Sequence, residues 1–168
     1  MSRLDYPLRP FLPGDTIVLR ELLAASIEEL TADDYEEDQR AAWASQALDA
    51  QAFARKLGGM ITLVIEIDGE YLGFGSLRGN SEIAMLFVHP FYTGEGVGTA
   101  LADALERIAA SRGAEAITVA SSETAVPFFE ARGYVAKERI AVEHDDLWLT
   151  TTMMAKPMKP AATGGRTS

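Results

Sequence analysis

Cysteine is absent from this 168-residue chain, which excludes disulfides and thiolate metal sites. Only two histidines occur, His89 and His144, too few and too far apart in sequence to suggest a zinc site. Long apolar runs are missing as well: "ITLVIEI" and "IAMLFV" are strand-sized, well short of a membrane span. The opening "MSRLDYPLRP" has no apolar signal-peptide core. The expectation is a cytoplasmic protein with no metal and no membrane partner. Basic charge is also scarce, with 15 Lys and Arg against 25 Asp and Glu and a formal net charge of −10. A chain of that sign is a poor ligand for phosphate backbones, so no nucleic-acid partner is expected. Much of the acid lies in "EELTADDYEEDQ", residues 28 to 39. That run either draws cationic substrates or simply keeps a surface soluble.

Apolar residues make up 48% of the chain, enough for one domain with a sizeable core. "YPLRPFLPGD" reads as a short extended segment with Asp15 as a helix N-cap. "TIVLRELLAASIEEL" follows, with Val18, Leu22, Leu23, Ile27 and Leu30 on one helical stripe. Further helices are expected in "YEEDQRAAWASQ" and in "DAQAFARKL", the latter capped by Asp49. The period then changes. "MITLVIEIDGEYLGFGSLRGNSEIAMLFVHP" reads as three strands joined by an "IDGE" hairpin and an "RGNS" turn. A long helix over about residues 96 to 112 should bury Val97, Leu101, Leu105 and Ile108, with Gly113 ending it. "AEAITVASS" is a strand and "TAVPFFEAR" a short helix closed by Gly133. "YVAKERIAVEH" and "LWLTTTMMAK" form a last pair of strands joined near His144, Asp145 and Asp146. The order predicts a single α/β domain of the α+β kind over residues 1–157, its sheet mixed and mostly antiparallel, flanked by helices. Residues 158–168 have the composition of a flexible tail.

Between the third strand and the long helix lies "HPFYTGEGVGTALADAL", with glycines at 94, 96 and 98. A P-loop requires Lys and Ser/Thr after its last glycine, but Thr99-Ala100 follow Gly98. The dinucleotide fingerprint requires another spacing, and a parallel βαβ unit rather than a meander. What remains is a strand, a loop and a helix start. First-turn N–H groups lack helical partners and point at an anion, and glycines let it approach. A glycine-rich turn with no ligand is the plainer alternative.

The segment "LFVHPFYTGEGVGTALADALE" resembles the acetyl-CoA-binding motif of the GNAT superfamily of acyl-CoA N-acyltransferases. Val88, Pro90, Gly96 and Gly98 fall on its pattern. "SSETAVPFFEARGY" is similar to a second family block, through Ala125, Phe128, Glu130 and Gly133. "LWLTTTMMAKPM" fits the last strand and "LRPFLPGD" the first, so the resemblance spans about residues 4 to 158. It departs from the pattern at three places. Thr93 stands for Arg or Gln, Ser122 for Asn, and Phe129 for the Tyr that often serves as general acid.

The resemblance implies a sheet split between two central parallel strands, with acetyl-CoA as co-substrate held in the split. It assigns the cofactor contacts to Leu86, Phe87 and Val88 on the strand, to Thr93, Gly94, Glu95, Gly96, Val97, Gly98 and Thr99 on the loop, and to Ser122 and Phe129. It implies direct acetyl transfer to an amine of a small molecule or peptide, in a monomer or homodimer. Glu82 lies where relatives of the histone-acetylating type carry a general base. A period of two along the strand would put it on one face with Ala84, Leu86 and Val88. Glu66 and Glu70 read as surface residues, His89 as a turn residue, and Trp43 and Trp148 as core or rim aromatics. Trp43, Tyr35 and the acidic run fall where the family shapes its acceptor pocket, and they suggest a cationic acceptor. A rival reading is a non-catalytic acyl-CoA-binding or sensing module, favoured by the missing Tyr and opposed by Glu82; a purely structural interaction domain is disfavoured, because it would leave the glycine loop without a purpose.

Overall fold

A computed structural model of the chain describes residues 5–158. The expected tail therefore falls, apart from Met158, outside the described residues. The elements run β1 (Arg9–Pro10), α1 (Thr16–Leu30), α2 (Glu37–Ala44), α3 (Ala50–Gly58), β2 (Ile61–Ile67), β3 (Glu70–Arg78), β4 (Glu82–Val88), α4 (Val97–Ser111), β5 (Ala116–Ser122), α5 (Val126–Ala131), β6 (Val135–His144) and β7 (Leu147–Pro157). One seven-stranded sheet results, in the order β1-β2-β3-β4-β5-β7-β6. All neighbours are antiparallel except β4 and β5.

The turns follow their chemistry. Asp68 and Gly69 both take positive φ, 52° and 84°, as a two-residue hairpin matched to strand twist requires. Asp145 and Asp146 make the corresponding turn between β6 and β7, at 49° and 67°. Asp49 caps α3 by accepting from the Ala52 N–H at 3.1 Å.

Two layers of helix cover the sheet. On one face α1 and α3 bury Leu19, Leu23, Ile27, Phe53 and Leu57 against Phe74, Met85 and Phe87. On the other, α4 presses Val97, Leu101 and Leu105 onto β3. There the strand has no side chains to spare. A Cβ on Gly73 would meet the Phe87 carbonyl oxygen at 2.8 Å and Val97 at 2.9 Å.

Three sequence expectations need correction. The buried stripe of α1 runs through Leu19, Leu22, Leu23 and Ile27, so Val18 falls on its flank at 37% exposure and Leu30 is only half-buried. On α4, Ala109 takes the fully buried position and Ile108 is only partly covered. Asp15 occupies the N-cap position of α1 but makes no capping bond. Its carboxylate instead accepts from Arg9 at 2.9 Å, the Leu12 N–H at 2.8 Å and the Tyr71 hydroxyl at 2.7 Å. Burial alone would raise its pKa; those donors more than offset it and hold the group down to about 2.

Candidate active site

The site begins with a defect in the sheet. Ser76 of β3 pairs with Met85 of β4, and the next residue, Leu77, pairs with Ile83, so Ala84 is an inserted residue without a partner. Such a β-bulge bends its strand and reverses its side-chain phase. Just there, pairing with β5 stops: β4 and β5 match only at Glu82–Thr118 and Ile83–Val119. Beyond Ile83 the two strands diverge, while β5 stays paired to β7 as far as Ser122.

The divergence leaves backbone groups open. His89 N–H donates to the Leu72 carbonyl at 2.8 Å, which fixes the alternation of the β3–β4 ladder. By that alternation Phe87 exchanges hydrogen bonds with β3. Leu86 and Val88 turn their N–H and C=O the other way, into the split. Phe87 meets the split with its ring, packed 6.1 Å from Trp43.

A cavity of about 650 Å³ fills the split and reaches both faces of the sheet. At one end it is bordered by Thr93, Gly94, Gly96, Val97, Gly98 and Thr99. Gly94 and Gly96 take φ of 82° and 86°, left-handed values that a side chain would resist, and α4 starts at Val97 straight after them. No side chain caps that helix, so its leading N–H groups face the cavity end without an intrahelical acceptor. The Glu95 side chain is exposed and does not border the cavity, and the Glu95 carbonyl is pinned by the Tyr6 hydroxyl at 2.6 Å. Thr93 spends its hydroxyl on the Pro90 carbonyl at 3.0 Å, and Ser122 accepts from the Ala125 N–H at 3.2 Å, starting α5. Both departures from the family pattern therefore shape loops locally. His89 does the same, accepting from the Phe91 N–H at 3.0 Å, as a turn residue should.

Phe129 lies 2% exposed in the cavity wall and has no donor to offer. Tyr134, its neighbour at 5.1 Å between ring centroids, is no substitute. Its hydroxyl donates to Glu106 at 2.8 Å, away from the cavity, inside a cluster with Arg132 and Lys156. Burial and that bond push its phenol well above the ordinary value.

Glu82 borders the opposite end. The bulge moves it off the face of Leu86 and Val88, where an unbroken period of two would have put it. Ile83 packs with Leu77 and Leu105 on the α4 side, so Glu82 points to the α1–α3 side, with Met85 and Phe87. It forms an ion pair there with Arg78 at 2.9 Å. Lys56 from α3, Gln46 and His144 from β6 complete this end. Trp43 packs on Tyr35 at 5.5 Å. The Tyr35 hydroxyl is fully engaged, donating to the Thr150 carbonyl at 2.8 Å and accepting from the Glu123 N–H at 2.9 Å. No carboxylate of the acidic run borders this cavity; Asp33, Asp34, Glu36 and Glu37 are exposed and line a separate surface hollow of about 400 Å³. Lys56, Arg78 and His144 went unnoticed in the sequence because nothing local connects them; only the fold does.

Comparison with known proteins agrees with this geometry. The acetyltransferase (GNAT) domain family matches residues 31–156. A GCN5-related N-acetyltransferase from Rhodopseudomonas palustris shares 49% identity, with a TM-score of 0.92 over 94% of this chain and 99% of that one. The uncharacterized N-acetyltransferase YafP of Escherichia coli K12 is 32% identical over 147 residues, covering 88% of this chain and 93% of that protein. The fold also matches the PaiA N-acetyltransferase of Thermoplasma acidophilum in complex with coenzyme A, at 17% identity and a TM-score of 0.76 over 92% and 99% of the two chains. The chain belongs to the GNAT acetyltransferase family and is an N-acetyltransferase. No helix among the described residues is long and apolar enough to cross a membrane.

Proposed function

We propose that this N-acetyltransferase uses acetyl-CoA, seated with its pyrophosphate at the glycine loop and its pantetheine arm along the open edge of β4, and that an amine attacks the thioester directly from the Glu82 side. The observation that carries this reading is the two-residue pairing of β4 with β5, which leaves the backbone of Leu86 and Val88 free to pair with an added strand-like ligand. Gly94, Gly96 and Gly98 remove bulk, and the N–H groups opening α4 meet the negative charge. Thr93, Glu95, Val97 and Thr99 supply backbone there, while Ser122, Phe87 and Phe129 wall the split.

An alkyl amine has a pKa of about 10.4 and is nearly all charged at neutrality. Glu82, directly or through water, takes its proton. The neutral nitrogen then bonds to the acetyl carbon, a β4 N–H holds the developing oxyanion, and as the C–S bond breaks the nitrogen's surplus proton leaves to water or to the departing sulfur, giving the neutral amide. The departing thiolate, of pKa about 8.5 for an ordinary thiol, is a tolerable leaving group without a tyrosine.

Acetyl-CoA is expected to raise the melting temperature, and free thiol to appear when amines are supplied. The pH–rate profile should rise and then level, with no falling limb. A bell-shaped profile in folded protein would reveal a proton donor absent from this scheme. Failure of acetyl-CoA to shift melting at millimolar concentration would remove the scheme's basis.

A further inference from the structure

The chain is strongly acidic, yet among the described residues the basic and acidic side chains bordering the cavity are three bases, Lys56, Arg78 and His144, and one carboxylate, Glu82. They come from α3, β3, β6 and β4, so the fold and no local motif gathers them. All lie at the end remote from the glycine loop, beyond the reach of the pyrophosphate. Arg78 is engaged by Glu82 at 2.9 Å. Lys56 has only a long hydrogen bond, 3.4 Å, to the neutral Gln46, and among the described residues no carboxylate lies within ion-pair distance of it. Partial burial and the charge of Arg78 hold the Lys56 amine below its usual range. Burial and then Lys56 do the same to His144. Lys56 thus lies near enough to Arg78 and His144 to interact with each, and Glu82 is the one carboxylate bordering the cavity among the described residues.

We propose that the acceptor is a small amino-carboxylate, its carboxylate docked on Lys56 and His144 beside Arg78, and its amine turned to Glu82. This rests on the reading that acetyl transfer takes place in this cavity. A polyamine or other polycation would bring like charge against Lys56 and is disfavoured. The anion satisfies donors that the protein leaves open, and the single carboxylate of Glu82 matches the single amine. A cavity of about 650 Å³ that must also hold the thioester arm suits a small molecule rather than a folded protein surface.

The test uses the CoA-saturated protein and a panel of N-acetylated amino acids, each paired with its own amide, with binding followed by calorimetry. At least one acid should bind ten-fold or more tighter than its amide, roughly the worth of one charged hydrogen bond. Lys56→Gln should erase that gap and Lys56→Arg should retain most of it. Equal binding of acid and amide throughout the panel, no binding of any acid, or a gap that survives in Lys56→Gln would each overturn the proposal. In parallel, thiol release is compared between amino acids and their decarboxylated amines. Acetylation of the amines with no preference for the acids would sink this inference while leaving acetyl transfer intact. Absence of an acetyl-CoA melting shift would instead sink the transfer reading itself.

Discussion

The two ends of the cavity are built by opposite means. The glycine-loop end uses backbone: contiguous residues 93–99, two left-handed glycines, an uncapped helix start and no charged side chain on the lining. The Glu82 end uses side chains: three bases and one carboxylate from four elements, brought together by the fold. Backbone recognition suits a ligand part that never varies, because main-chain N–H groups do not change with side-chain substitution. Side-chain recognition suits the part that distinguishes one enzyme of a family from another. The difference teaches where substrate identity is to be sought: at Lys56, Arg78, Glu82 and His144, not in the motif.

Perturbing each end should therefore produce a different loss. Glu82→Gln carries the largest expected effect, a fall in turnover of about 10²–10⁴-fold, typical of a lost general base, with the acetyl-CoA melting shift kept. Full activity at saturating acceptor would show that the Arg78 pair leaves Glu82 a structural role only. Gly98→Asp is the opposite case. Its backbone is unstrained, and a Cβ there meets Phe128 and Val88 at ordinary distances of 3.5 and 3.6 Å, so the fold should tolerate it. In the proposed binding mode the added carboxylate would face the pyrophosphate. Wild type should gain about 2.7 kcal/mol from acetyl-CoA at a hundred times its Kd, and the variant almost none. An unchanged shift would return the loop to an empty turn.

Asp15 lies at neither end and serves as the control. Its folded-state pKa is lowered from 3.8 to about 2, so its contribution to stability, about 2 kcal/mol, is present above the unfolded value and lost as pH falls through the folded one. Asp15→Asn should lower the urea-derived stability by about that amount at pH 7 without altering the acetyl-CoA Kd, and the gap to wild type should close between about pH 4 and pH 2. A gap independent of pH would mean the loss is steric. The smallest effect belongs to Glu95→Gln. Since the side chain is exposed and does not border the cavity, it would repel a pyrophosphate bound at the loop only across solvent, by about 0.6 kcal/mol at roughly 7 Å. Acetyl-CoA should bind the variant slightly tighter at low salt and equally at high salt. Weaker binding at low salt would show that Glu95 holds the loop.

The same contrast decides what could be read in advance. The element order, both tight turns, the Asp49 cap and the glycine loop are local, and each is legible as a few adjacent residues. The bulge at Ala84 left no mark. Alanine suits a strand interior as well as a bulge, and an unbroken alternation put Glu82 on the wrong face. The buried role of Asp15 is not legible locally because its partners Arg9 and Tyr71 reach it from β1 and β3. Tyr6, which pins the Glu95 carbonyl, sits 89 positions away. The acidic run points toward a cationic acceptor because composition weighs every carboxylate alike, whether or not it borders the cavity, and in the fold none of the run's carboxylates does.

The most direct test is an amide proton–nitrogen spectrum of the isotope-labelled protein, titrated first with acetyl-CoA and then with an acceptor analogue. Acetyl-CoA alone should move the amides of Gly94, Gly96, Val97, Gly98, Thr99, Leu86 and Val88 and leave Lys56 and His144 nearly still; the analogue should then move Lys56, Arg78, Glu82 and His144. Shifts caused by acetyl-CoA that centre on α3 and the end of β6, with the glycine loop unmoved, would contradict the account.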